Sequence, residues 1–190
     1  MFMQTIFAAL SAIIIIAVTI PYMVDIVRGR AKPARAARGM FLLLLSITLA
    51  QQHSLDTGLA MTITVAETIS CIMLFGLAMK YGVGGLSKSD KTCYALLVVS
   101  LVAWWVSGSA LLALHFTILA DTVAMWPTLE KTWRDPKSET PLFFWGGVIA
   151  PLFSVAASSS FAYSVIVFPV YLSLINLIEV ILIKRRVIAK

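Results

Sequence analysis

The stretch TIPYMVDIVRGRAKP (residues 19–33) recurs in pattern as AMWPTLEKTWRDPKSETP (residues 124–141). In each copy a proline, Pro21 or Pro127, lies near the end of a long apolar run and is followed seven residues later by an arginine. A short charged turn and another apolar run come next. Such a recurrence indicates one supersecondary unit that is used twice. In a membrane protein, two such halves are typical of a transporter with its site between them.

The composition predicts a membrane protein. Hydrophobic residues make up 60% of the chain and charged residues 13%, whereas a soluble domain carries about 25% charged residues. Because 190 residues cannot hide so much apolar surface from water, we expect lipid to be the solvent, and a span then needs about 20 apolar residues. The predicted spans are 3–26, 38–53, 58–80, 92–107, 109–133, 141–158 and 162–183.

The basic residues predict the orientation of these spans. All fifteen Lys and Arg lie in four stretches, which include the loops after spans 1, 3 and 5, the adjoining span ends and the segment after span 7. These stretches are all on one side of a seven-span bundle. The positive-inside rule makes that side the cytoplasm, so the N-terminus is expected outside and the C-terminus inside. The net charge of +6 is therefore explained by topology, and we expect no nucleic-acid partner.

An odd number of spans in the repeated unit explains the total of seven. Both copies of the pattern send their charged turn to the basic side, so both three-span units have the same orientation. A second copy that followed directly would enter the membrane in the inverted orientation. One extra span restores the orientation, and the stretch TCYALLVVSLVAWWVSG (residues 92–108) fits this role. The predicted fold class is an all-α membrane protein of seven transmembrane helices, with two parallel three-helix repeats joined by a linker helix (3+1+3). Its predicted divisions are 1–80, 81–108 and 109–190.

A proline followed by a basic loop in each three-span unit resembles the PQ-loop repeat of the SWEET and PQ-loop superfamily of membrane transporters. The resemblance covers nearly the whole chain in architecture, but the motif is short, and Tyr22 and Thr128 stand where the family has glutamine. Residues 121–141 are similar to small uncharacterised bacterial members, which implies a bacterial plasma membrane. The resemblance implies a carrier for a small polar solute that works by alternating access, with Pro21 and Pro127 as gate hinges.

The physical chemistry of proline favours the same role. A proline inside a helix removes one backbone hydrogen bond and kinks the helix. Pro21 and Pro127 lie about one turn from the predicted cytoplasmic ends of spans 1 and 5, so we expect paired hinges of an inner gate there. Static kinks that aid packing are the alternative, and they are what we expect of Pro151 and Pro169, which have no counterpart in the first half.

Two carboxyl groups, Glu67 and Asp121, are predicted near mid-span, where a charge costs roughly 2.5–3.5 kcal/mol and is usually functional or paired. Polar residues share their helix faces at steps of three, four or seven: Thr64, Thr68 and Cys71 with Glu67, and Thr117 and Thr128 with Asp121. Both stripes predict the lining of a polar cavity. The alternative is a structural hydrogen bond between helices, with His115 as a partner of one carboxyl group.

Two further site residues follow from the resemblance. It implies an asparagine facing the central site in the third span of a unit, which Asn176 matches, with Glu67 as its approximate counterpart. It also implies a substrate-stacking aromatic, which Trp145 matches, and aromatic rings bind cations among other ligands. A carboxylate at the counterpart position favours a cationic or proton-coupled solute over a neutral sugar. Glu179 is close in sequence to Lys184, so we expect its side chain to reach the membrane interface.

The leading hypothesis is a passive or proton-coupled carrier in which Glu67, Asn176, Trp145 and Asp121 contact the solute, with a proton relay as the other role open to Asp121. The alternative is a receptor or accessory protein without transport, with the basic tail KRRVIAK (residues 184–190) as a docking signal. No set of catalytic or metal-binding residues stands out, so neither an enzyme nor a cofactor is predicted. The stretch QQHSLDT (residues 51–57) is predicted as a solvated external loop, and a homo-oligomer is compatible with so much apolar surface.

Overall fold

The chain folds into a bundle of α-helices. The computed structural model describes residues 2–29, 33, 35–82, 88–134, 136 and 141–188. In these ranges there are seven α-helices and one short 3-10 turn at Gly58–Met61, and no strand. The helices are α1 (Phe2–Val27), α2 (Arg35–Ser54), α3 (Thr62–Tyr81), α4 (Lys88–Ser107), α5 (Ala110–Arg134), α6 (Pro141–Ala157) and α7 (Tyr163–Ile188).

The seven predicted spans coincide with these seven helices. The helices extend beyond the apolar runs where charged residues follow, as at the start of α4 and at the end of α7. Backbone hydrogen bonds, and not apolarity, determine where a helix ends, and long basic side chains keep their charged heads in water while their stems cover apolar surface. Four basic residues of the predicted orientation signal lie outside the described residues: Arg30, Lys32, Lys137 and Lys190.

Four helical segments are long and apolar enough to cross a membrane: Phe2–Val27, Gly58–Tyr81, Ala110–Arg134 and Tyr163–Arg185. Two shorter apolar helices, Lys91–Ser107 and Pro141–Ala157, lie among them. A bundle with this many apolar helices and so few charged residues fits a membrane protein.

The helices meet at two distinct ends. At one end Gln4 Nε2 donates a hydrogen bond to Ser158 O over 3.2 Å, and at the other the Tyr22 and Phe143 rings lie 6.0 Å apart. Helices α1 and α6 therefore run antiparallel along their full length. We call the first the N-terminal end, where α1, α3, α5 and α7 begin. We call the second the basic end, because every described Lys and Arg lies there.

Each third helix packs against two others. Helix α3 contacts both α1 and α2, and α7 contacts both α5 and α6. We call α1, α2 and α3 the first set of helices and α5, α6 and α7 the second set. Between the two sets, α1 contacts α6 and α2 contacts α5, while α4 packs mainly against α5. Helices α1 and α6 approach closely at Gly146, where a Cβ would lie only 2.7 Å from a methyl carbon of Val18. The absence of a side chain at Gly146 therefore permits this contact.

An apolar cluster fills the centre of the bundle toward the N-terminal end. Its members come from α1, α3, α5, α6 and α7, so both sets of helices contribute to it. We call this cluster the apolar plug. It consists of Ile15, Ile63, Ala66, Leu114, Ala150, Phe168 and Leu172.

A buried polar network joins α2, α4 and α5, and it corrects one prediction. Gln51 was expected in an external loop, but α2 continues to Ser54 and Gln51 is 0% exposed. Its Nε2 donates to Ser100 Oγ over 2.9 Å, and its Oε1 accepts from Thr117 Oγ1 over 3.1 Å. Ser100 Oγ in turn donates to Ala113 O. Thr117, expected to line a cavity with Asp121, therefore joins helices.

Removing the Ser100 hydroxyl tests this network. In Ser100→Ala, Gln51 Nε2 loses its acceptor in a buried position, and we expect the free energy of unfolding to fall by about 1–2 kcal/mol. Ser46→Ala is the matched control, because that hydroxyl is exposed and bonds only to Leu42 O in its own helix. Denaturant unfolding in detergent measures both variants, and equal stability of the two would contradict the network's role.

Candidate functional site

The centre of the site is a hydrogen bond between α5 and α7. Tyr171 Oη donates to Asp121 Oδ2 over 2.7 Å, and Thr122 Oγ1 donates to Tyr171 Oη over 3.0 Å. Asp121 is 6% exposed and lies near the middle of α5. The predicted site residue Asp121 thus has a partner that sequence reasoning did not identify. The available signal was a tyrosine in the interior of an apolar run, away from the interfaces where tyrosine is usually enriched.

Glu67 approaches this pair from the other set of helices. It lies on α3 and is close enough to Asp121 and Tyr171 for their charges to interact. Helix α3 packs mainly against α1 and α2, so Glu67 belongs to one set of helices and the nearby Asp121–Tyr171 pair to the other. We call Glu67, Asp121, Tyr171 and Thr122 the carboxyl cluster.

Glu67 occupies the middle of the buried face of α3. Residues three and four positions apart share a helix face, and Ile63, Ser70 and Leu74 around it are all buried. Glu67 itself is nevertheless only partly buried. Glu67 therefore lies on the packed face of α3, opposite the exposed Ile69 and Ile72.

Asn176 shows the same combination on α7. Leu172, Ser173, Glu179 and Val180 on its face are buried, whereas Asn176 is partly exposed. Its Nδ2 donates to Leu172 O over 2.8 Å. The Asn176 amide lies against Gly147 of α6. The third helices of both sets therefore carry a polar side chain on their packed faces, at the two positions that the sequence pairs.

Trp145 lies apart from the carboxyl cluster. The Lys184 ammonium group lies over the Trp145 ring, with Nζ 4.9 Å from the ring centroid. It packs against an apolar cluster that includes Phe144, Val180 and Ile183. These contacts place Trp145 toward the basic end, and none of them involves Glu67, Asp121 or Tyr171.

The predicted hinge Pro21 is an exposed residue inside α1, which continues to Val27. The adjacent Tyr22 accepts a hydrogen bond on its hydroxyl from Arg38 Nη2 over 2.9 Å, and the Arg38 guanidinium lies 5.2 Å from the Tyr22 ring centroid. Pro127 falls within the bounds of α5, but its side chain lies outside the described part of the chain.

Two expectations about other charged residues are wrong. His115 bonds to Leu111 O and Tyr163 Oη, both over 2.7 Å, on the exposed side of α5, so the partner of Asp121 is tyrosine and not histidine. Glu179 does not reach the membrane interface, because it is 0% exposed and accepts a hydrogen bond from Thr132 Oγ1. Glu179 lies four residues from the buried Ile175 and Ile183 and so shares their face of α7. Its burial follows from that face and does not depend on the nearby Lys184.

The described residues offer no metal site, since His, Cys, Asp and Glu form no suitable group of three there. Two shallow surface grooves lie elsewhere, one at Trp104 and Trp105 of α4 and one between α1 and α3 near Val24 and Leu77. The chemistry available at the carboxyl cluster is therefore that of two carboxyl groups, two hydroxyls and an aromatic ring.

Gly147 on α6 makes room for Asn176, because a Cβ at position 147 would collide with the Asn176 amide. We expect Gly147→Ala to lower the free energy of unfolding by about 1–3 kcal/mol through overpacking. Shortening the neighbour in Gly147→Ala/Asn176→Ser should restore most of that loss, since contacting residues couple.

Gly76→Ala on α3 is the control for that experiment, because nothing lies within 4 Å of a Cβ there and alanine favours a helix. Thermal unfolding in detergent measures all three variants. A Gly147→Ala protein as stable as Gly76→Ala would show that Asn176 does not occupy this position.

Comparison of the chain with protein-family models, with curated proteins and with solved structures gives no match. The resemblance to PQ-loop transporters therefore stays a prediction from the sequence, and function has to be argued from the geometry of the carboxyl cluster.

Proposed function

We propose that this protein is a membrane carrier that moves a small polar solute by alternating access. The observation that carries the proposal is the carboxyl cluster, in which Glu67 from one set of helices faces Asp121 and Tyr171 from the other. Carboxyl groups in the middle of membrane spans are expensive to bury and typically mark solute or ion pathways. A site shared by two helix sets is also one that relative motion of the sets can expose to either side.

The helix contacts support a 3+1+3 arrangement. Replacing α1, α2 and α3 by α5, α6 and α7 turns the α1–α3 contact into α5–α7, and the α2–α3 contact into α6–α7. The same exchange turns the α1–α6 contact between the sets into the α5–α2 contact. This correspondence is expected of two parallel repeats related by an axis along the membrane normal, with α4 as the linker.

The positive-inside rule places the basic end in the cytoplasm and the N-terminus outside, in a bacterial plasma membrane if the family resemblance holds. Most of the apolar plug then lies on the outer side of the carboxyl cluster, because Ile63, Leu114 and Phe168 each precede the cluster residues of their helix by one or two turns. In this proposal the solute binds between the two sets of helices, near Glu67 and Asn176, in a conformation closed toward the outside.

Transport requires the plug to open while the basic end closes. Pro21 lies at the basic end of α1, and the adjacent Tyr22 contacts Arg38 of α2 and Phe143 of α6. A bend at Pro21 therefore changes a contact between the two sets of helices, and Pro127 is the proposed partner hinge in α5. The proposed solute-binding residues are Glu67, Asp121, Asn176 and Tyr171. We leave Trp145 out of this set because Lys184 occupies a face of its ring.

Counterflow in proteoliposomes tests the carrier. The purified protein should exchange at least one member of a panel of sugars, amino acids, amines and vitamins. Glu67→Gln and Asp121→Asn should each lower that exchange by about tenfold or more, because a lost hydrogen bond to a charged group is worth about 1.5–3 kcal/mol. Glu130→Gln is the matched control on α5, since Glu130 is exposed and paired with Arg134.

Failure to exchange any member of the panel would refute the carrier. Binding of a solute without exchange would favour the receptor or accessory protein instead. Removal of residues 184–190 separates these two functions further, because a carrier should keep its solute affinity without the basic tail.

A further inference from the structure

We propose that the solute of this site is an organic ammonium ion that carries no carboxylate, held between Glu67 and Asp121 against the ring of Tyr171. This inference rests on the proposed carrier function and narrows its substrate class. Three features of the molecule favour such a solute: the charge balance of the carboxyl cluster, its aromatic wall and one buried hydroxyl beside it.

The carboxyl cluster contains two acidic groups without a fixed cation in the described part of the chain. Asp121 accepts a hydrogen bond from the neutral Tyr171 hydroxyl, and Glu67 lies near enough to Asp121 for the two carboxyl groups to interact electrostatically. Basic side chains engage aromatic groups nearer the basic end, as Arg38 does with Tyr22 and Lys184 with Trp145. A cationic solute would supply the missing countercharge at a depth where uncompensated charge is costly.

The aromatic wall suits an ammonium group. Tyr171 is held by hydrogen bonds to Asp121 and from Thr122, and its ring centroid lies 6.3 Å from that of Phe168. Aromatic faces attract ammonium groups, and desolvation strengthens this attraction. The fixed tyrosine therefore presents a cation-binding surface beside two carboxyl groups.

Thr64 gives independent evidence that a polar ligand belongs here. It lies three residues before Glu67, on the same side of α3, and is 0% exposed. Its Oγ1 has no hydrogen-bond partner among the described residues, although a buried polar atom is normally paired. A hydroxyl or N–H group on a solute held by Glu67 would supply that partner.

The same charges exclude two other solute classes. A zwitterion would bring its carboxylate close to Glu67 and Asp121, and like charges in a desolvated site repel strongly. A neutral sugar would offer the two acidic groups no countercharge. The site therefore discriminates by charge more than by size.

Four probes separate these classes. Choline and agmatine are organic cations without a carboxylate, betaine adds a carboxylate to the same trimethylammonium group, and 3,3-dimethylbutan-1-ol is the neutral isostere of choline. Thermal stabilisation and counterflow of the purified full-length protein measure its affinity for each probe. We expect the affinity for choline or agmatine to be about tenfold or more above that for betaine and the alcohol. Glu67→Gln and Asp121→Asn should each weaken the response to the cation about tenfold or more, whereas Glu130→Gln should leave it unchanged.

The outcomes distinguish the two proposals. Equal responses to a cation and to betaine or the alcohol would overturn the substrate class and leave the carrier intact, as would exchange of sugars but of neither cation. A cation response that both carboxyl variants retain would also overturn it. No binding or exchange of any probe or panel member would overturn the carrier and the substrate class together. The comparison of probes uses the unaltered protein, so it holds even if a variant fails to fold.

Discussion

Glu67 and Asp121 are acidic residues in helices that are otherwise apolar, and the cost of placing them there constrains how the helices are arranged. Asp121 is stabilised by the Tyr171 hydroxyl, which ties α5 to α7. Glu67 faces the same pair from α3. Because charged groups in a bilayer have to be paired or turned toward a polar interior, these three residues orient the inner faces of α3, α5 and α7. The proposed solute site is a consequence of that orientation.

Hydroxyl groups and small residues hold the rest of the bundle together. Ser11 on α1 and Ser173 on α7 donate hydrogen bonds to Ala150 O and Val148 O of α6. Ser154 of α6 donates to Ala60 O beyond α2. Between helices in lipid, such bonds and close packing replace the hydrophobic effect, which gives no advantage to one apolar contact over another. Helix α6 is thereby joined to its neighbours on both sides.

The sequence predicts the seven helices because hydropathy reports which segments lipid can surround, and it predicts Glu67 and Asp121 because a charge in such a segment is conspicuous. It does not predict Tyr171, since a single tyrosine in an apolar run carries no periodic signal. Gln51 was misassigned because polar residues at the end of an apolar run resemble a loop, whereas here their partners are on α4 and α5. The prediction for Glu179 is wrong because the nearby Lys184 does not determine which face of α7 Glu179 occupies. These contacts depend on tertiary packing, which the order of residues along one helix does not reveal.

Shared orientation of the two helix sets is the claim on which the interior site depends, and thiol labelling with a membrane-impermeant reagent tests it most directly. Single cysteines at Arg28, Arg134, His53 and Ser159, in a chain whose Cys71 and Cys93 are replaced by serine, report on both ends of the bundle. We expect the cysteines at 53 and 159 to react in intact cells, and those at 28 and 134 to react only after the membrane is opened. Reaction of positions 28 and 134 from opposite sides would contradict the duplicated arrangement and, with it, the carrier.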